Sequence, residues 1–89
     1  MTAKQHSEEY EKLNALELFL LKEKILLTRQ ELKVLYAAIE GKTTPEIAEE
    51  FSVSFHTIKT HKNNLISKLN LKGRVEFQKY VLKMMKSPP

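Results

Sequence analysis

Apolar residues recur with a helical period along most of the chain, and no stretch shows the two-residue alternation of a strand. Between Tyr10 and Leu27, Leu13, Leu16 and Leu20 form one stripe and Leu18, Leu21 and Ile25 another, with Phe19 between them. A helix apolar on more than one side is one buried between two bodies. Its predicted start follows Ser7, which can accept a backbone hydrogen bond as N-cap, and it runs to about Leu26. Thr28 opens a second helix, with Glu31 three residues on at capping-box spacing, and Gly41 ends it. Leu32, Leu35, Tyr36 and Ile39 are its core positions. Thr44 and Pro45 suit the N-cap and first turn of a short third helix, where proline's missing N–H costs nothing. That helix reaches about Phe51 and offers Ile47, Ala48 and Phe51 to the core. Ser52, Val53 and Ser54 form a turn, Ser54 caps a fourth helix ending near Leu69, Gly73 allows a break, and a last helix spans Arg74 to about Met85. Ala48 is small where the third and fourth helices should approach most closely.

The fourth helix divides into two unlike sides. Ile58, Leu65 and Leu69 share one stripe, with Phe55 and Ile66 at its edge, while His56, Lys59, Thr60, Asn63 and Ser67 lie opposite. From Ser54 to Lys68 there is no Asp or Glu. The polar side therefore carries donors suited to phosphates and base edges and nothing that repels a polyanion. A short helix, a three-residue turn and such a helix outline a helix-turn-helix DNA reader. Ser54, Thr57 and Thr44, near helix starts where backbone N–H groups and the helix dipole favour anions, are candidate phosphate contacts. His56, Lys62, Lys68 and Arg74 join them.

Charge changes the picture more than composition does. The net charge of +4 hides an asymmetry: residues 1–27 carry four Lys and five Glu, residues 28–53 three basic and five acidic groups, and residues 54–89 eight basic groups against one Glu. The positive field is thus concentrated where the reader lies. A chain of 89 residues has little room for a catalytic cleft. It has no Cys for a disulfide, a thiolate nucleophile or a zinc finger. His56 and His61 are five apart without a nearby carboxylate, which is not the spacing of a helical metal pair. No enzyme activity, metal, cofactor or small-molecule ligand is expected. The start of the chain lacks the pattern of a secretory signal, and Glu17, Lys22, Glu23 and Lys24 interrupt the apolar stretch from Leu13 to Leu27, so a cytoplasmic protein without membrane attachment is expected.

The segment LTRQELKVLYAAIEGKTTPEIAEEFSVSFHTIKTHKNNLISKLNLKGR resembles the DNA-binding domain of LuxR-type (GerE-like) regulators over roughly residues 26–85: the LT start, the glycine after the helix, EIA, TIK, then H, N and KL, and a late Arg. The resemblance implies an all-α, four-helix domain, here preceded by one extra N-terminal helix, whose third helix enters the major groove and whose fourth commonly dimerises. Carried over, the reader is Ser54 to Leu69 and the dimer helix Arg74 to Met85, with Phe77, Tyr80, Val81 and Met84 as its contacts. The base-contacting positions map to Lys59, Thr60 and Asn63, which already lie on the open side. Lys59 can donate to guanine, Asn63 can pair with adenine, and the Thr60 methyl can touch that of thymine. His61 matches the pattern at the core edge, and Asn64 is expected to hydrogen-bond inside the protein.

Departures from the family pattern set further expectations. Gln30 and Lys33 replace residues that commonly form an intradomain ion pair, so that pair is expected to be missing. Thr44-Pro45 stands where Asn-Lys is usual, and Phe55 is expected to pack under the N-terminal helix rather than to meet the DNA backbone. Fewer than thirty residues precede the domain, too few for a sensor domain. The organisation expected is an arm of residues 1–27, dimerising through Leu13, Leu16 and Leu20 and also packing on its own domain, and a DNA-binding domain of residues 28–89. Together these make a homodimeric, sequence-specific regulator of transcription on double-stranded DNA. The alternatives are a protein that heterodimerises with a larger regulator and titrates it, and a promoter-recognition module that contacts RNA polymerase as region four of a sigma factor does.

Overall fold

Reciprocal caps set two of the helix starts. The Thr28 hydroxyl accepts the Glu31 N–H at 3.2 Å while Glu31 Oε1 accepts the Thr28 N–H at 2.9 Å, the expected capping box. A second box forms one residue ahead of expectation: Thr43, not Thr44, exchanges bonds with Glu46, at 3.4 and 2.8 Å. A cap at Thr44 would place Ile47 three residues on, with nothing to return to the backbone. In the computed structural model, which describes residues 2–89 with side chains from Glu9 onward, five helices and no strand are present among the described residues. They are α1 (Thr2–Lys22), α2 (Arg29–Ile39), α3 (Thr44–Phe51), α4 (Phe55–Lys68) and α5 (Arg74–Lys86). α1 begins ahead of Ser7, which lies inside the helix rather than at its cap; no Gly or Pro interrupts that stretch.

The first four helices stop by the same device. Lys24, Gly41, Ser52 and Asn70 take left-handed backbone conformations, with φ of 62°, 90°, 57° and 59°. Each returns its own N–H and that of the next residue to carbonyls of the last helical turn, as in Ile25 N–H to Leu20 O at 2.8 Å and Leu71 N–H to Ile66 O at 2.9 Å. The residue after the left-handed one is apolar in three of the four cases, and two of these, Ile25 and Leu71, pack against the core. This is why α1 ends at Lys22 rather than near Leu26.

α2 packs against each of the other four helices, so it is buried on more than one side. Val34, Ala37 and Ala38 are buried alongside Leu32 and Leu35, whereas Tyr36 and Ile39 are only partly covered. Ile47 and Ala48 of α3, Ile58 and Leu65 of α4 and Leu69 at its C-cap complete the centre as their periodicity predicts. Leu16 and Leu20 of α1, 2% and 1% exposed, belong to the same core, as do Phe77 and the equally buried Met84 of α5. The sequence pattern places these four residues at a dimer contact; within the protomer they are already covered. Leu13, Tyr80 and Val81 are partly buried against the core. On α1 the large apolar residues left outward are Tyr10, Leu18 and Leu21, and on α5 Val75, Leu82 and Met85.

An intradomain ion pair is present at residues other than Gln30 and Lys33. Lys68 Nζ donates to Glu31 Oε1 at 2.7 Å, and Glu31 is the one charged residue buried among the described residues. Lys68 is therefore tied to the core through Glu31. Burial alone would raise the Glu31 pKa, but hydrogen bonds from Lys68 and Thr28 together with the Lys68 charge outweigh it and hold the carboxyl below its ordinary value. A carboxylate depressed in the folded state contributes stability above its unfolded pKa and loses it as pH falls through the folded one. Lys68→Ala is expected to cost about 1–2 kcal/mol at neutral pH, the partial exposure of the ammonium holding the figure down. The same substitution should flatten the loss of stability on acidification. Urea melts of both proteins at neutral pH and at about pH 3 check this; parallel acid profiles would show that Lys68 does not hold Glu31 down.

Candidate nucleic-acid interface

α3, the turn at Ser52–Ser54 and α4 form the helix-turn-helix, and the turn is closed by backbone alone. Ser52 N–H reaches Glu49 O at 3.2 Å and Val53 N–H reaches Ala48 O at 3.0 Å, so the left-handed Ser52 does what glycine does in many such turns. Ser54 then caps α4, its Oγ accepting the Thr57 N–H at 3.1 Å and lying 2.9 Å from Thr57 Oγ1. No acidic residue lies in the first turn of α4. The positive end of its dipole is left open at the surface.

With Ile58 and Leu65 wholly buried, the helical period turns Lys59, Thr60 and Asn63 outward, and all three are exposed together with His56 and Ser67. They occupy one continuous face over three turns. His61 is half-buried at the edge of the core, as its position on the helix predicts. Asn64 is exposed and its side chain makes no hydrogen bond among the described residues, contrary to the internal role expected of it: it lies one residue short of the buried Leu65 and is carried outward by the helical turn. Phe55, expected to pack under the N-terminal helix, is instead 51% exposed at the first position of α4 and lines a surface trough.

That trough, about 610 Å³ in volume and open to solvent, runs between the start of α3, the outer face of α4 and α5. Lys59, Lys62, Asn63, Thr44 and Arg74 line it, and none of its lining residues is acidic. Its charges are not equivalent. Lys42 is bound to Glu50 at 2.6 Å and to Glu40 at 3.5 Å, so its charge is compensated. Lys62 has no carboxylate partner among the described residues; its Nζ donates to Thr44 Oγ1 at 2.7 Å. Burial, and then the neighbouring Arg74, push the Lys62 ammonium below its ordinary pKa. A half-buried cation beside a second cation gains from any anion that reaches both. The Thr44 to Lys62 bond spans eighteen positions. The sequence marks each residue as a candidate by itself, but only the fold joins them with Arg74 at one spot.

The sequence model of the family described as "Bacterial regulatory proteins, luxR family" (GerE) matches residues 26–81, more than half of the chain. The chain belongs to the LuxR family. The transcriptional regulatory protein LiaR of Bacillus subtilis (strain 168) is 43% identical over 54 residues, covering 61% of this chain and 26% of LiaR. The oxygen regulatory protein NreC of Staphylococcus carnosus (strain TM300) is 40% identical over 58 residues, covering 65% of this chain and 27% of NreC. The chain thus spans about a quarter of the length of these curated relatives. No solved structure matches it. The matched residues hold α2, α3, α4 and most of α5, and α1 lies outside them. This LuxR-family region is a helix-turn-helix DNA-binding domain of transcription regulators, a class that is not enzymatic. Among the described residues no helix is long and apolar enough to cross a membrane.

Proposed function

We propose that the protein is a sequence-specific regulator of transcription that acts in the cytoplasm as a homodimer on two half-sites of double-stranded DNA. α4 lies in the major groove, where Lys59, Thr60 and Asn63 meet base edges. One observation carries the reading: a continuous exposed face on α4 without a carboxylate, backed by the buried stripe of Ile58, Leu65 and Leu69. Lys62, Thr44 and Arg74 serve one backbone phosphate, and Ser54, His56 and Thr57 serve a second at the start of α4. In this reading Lys68 supports α4 through Glu31 and does not touch DNA.

Truncating both Lys59 and Asn63 to Ala removes exposed side chains, so stability should change by no more than about 0.5 kcal/mol. Removing each base contact should cost roughly 1–3 kcal/mol at its base pair, with a smaller fall in affinity for random duplex. Titrations against a selected operator and a random duplex at one salt concentration measure the difference. If the double variant keeps its full preference for operator, α4 is not the reader, and titration of a larger regulator becomes the better account.

The phosphate contact is tested separately. Lys62→Ala should weaken binding to all duplexes alike and lower the salt slope by about one for each phosphate that a subunit no longer neutralises, leaving sequence preference intact. Thr44→Val, which unties the Lys62 ammonium without removing it, should weaken binding less, and Thr44→Ser should restore it. An unchanged slope for Lys62→Ala would remove Lys62 from the DNA surface.

A further inference from the structure

α1 keeps one apolar stripe that its own domain does not cover. At about 100° per residue, Tyr10, Asn14, Leu18 and Leu21 fall within roughly 80° of arc, while the buried Leu16 and Leu20 lie across the helix from its centre. Tyr10, Leu18 and Leu21 are 63%, 54% and 46% exposed, and Asn14 is exposed as well. Four residues over three turns, three of them large and apolar, make a seam of the width used by paired helices.

The charges beside this seam select its partner and its direction. Glu11 and Lys22 are both exposed and stand on the same flank of the stripe, three turns or about 16 Å apart along the axis. That is too far for contact within one helix. In a parallel pair a residue on this flank faces the opposite flank of the other helix, where Leu13 and Glu17 lie, so Glu11 and Lys22 never meet. In an antiparallel pair like flanks face each other. A two-fold axis near residue 16 then sets Glu11 of each copy beside Lys22 of the other, Tyr10 beside Leu21, and Asn14 beside Leu18. Such an arrangement is self-complementary, each contact occurring twice, as an isologous interface requires. Glu17 lies at the opposite border, where the axis brings its two copies close; Arg29 compensates it at 3.8 Å.

We propose that the seam of α1 is the contact between two copies of this chain, paired antiparallel through Tyr10, Asn14, Leu18 and Leu21 with two reciprocal Glu11 to Lys22 ion pairs. The proposal rests on the homodimer reading and assigns it a surface different from Leu16 and Leu20, which are buried in the core. It places the contact outside the family-matched residues, so that α1 joins two domains while the face of α4 stays open.

Charge reversal tests both partner and direction. Glu11→Lys and Lys22→Glu alter exposed side chains, and circular dichroism melts should show both variants folded. By sedimentation equilibrium at low salt, each alone should raise the dimer dissociation constant roughly tenfold, since two pairs become repulsive at once. An equimolar mixture of the two variants should recover dimers as tight as wild type, because both pairs are again of opposite sign in the heterodimer. As the chain has no cysteine, a second readout is clean: Asn14→Cys mixed with Leu18→Cys should cross-link on oxidation faster than either variant with itself. Dimers in which reversal changes nothing and mixing gives no recovery would overturn the α1 arrangement while leaving the homodimer standing. A wild-type protein that stays monomeric to about 100 µM would overturn both.

Discussion

The Glu31 carboxylate is the contact on which the placement of α4 depends. One of its oxygens closes the first turn of α2 through the Thr28 N–H and also receives the ammonium of Lys68 from the last turn of α4. A buried carboxylate needs such partners, because leaving it unpaired costs far more than the pair itself contributes. The start of the central helix and the end of the reader are thereby held together. With Ile58 and Leu65 locked against the core along its length, α4 has neither freedom to roll nor freedom to slide. Its outer face is thus presented in one orientation, which a base-reading surface requires.

Helix termination contributes as much to this geometry as helix packing. Lys24, Ser52 and Asn70 hold left-handed conformations that cost roughly 1–2 kcal/mol for a residue with a side chain. The bonds they return to the preceding turn, and the apolar contacts of Ile25 and Leu71, offset that cost. Ser52 matters most for function, since it sets the bend between α3 and α4 and so the angle at which the start of α4 meets the surface. A chain with two glycines can therefore make four sharp helix ends. Two of its turns are specified by the apolar residue next to the left-handed one rather than by glycine.

Basic and acidic groups divide the surface between tasks. The lysines that face carboxylates, Lys42 and Lys68, belong to the architecture. Lys59, Lys62 and Arg74 line a trough without a carboxylate and supply its uncompensated field. α1, with mixed charge, is set apart from that field. Such a division keeps a basic face without carboxylates distinct from the exposed apolar residues of α1.

The sequence by itself determined the helical class, the Thr28 capping box, the turn at Ser52–Ser54 and the open face of Lys59, Thr60 and Asn63. All of these follow from periodicity or from bonds between residues three or four apart. The same local logic misplaced the α3 cap by one residue, because both Thr43 and Thr44 can cap and only Glu46 decides between them. Three decisions belonged to the tertiary structure. Lys68 and Glu31 were paired across 37 positions, Lys62 and Thr44 met across eighteen, and the stripes of α1 and α5 were sorted into core and outside. A helix apolar on two sides carries no local record of which side its own domain will take. That depends on where the neighbouring helices stand, and their positions are set by α2, which touches all of them.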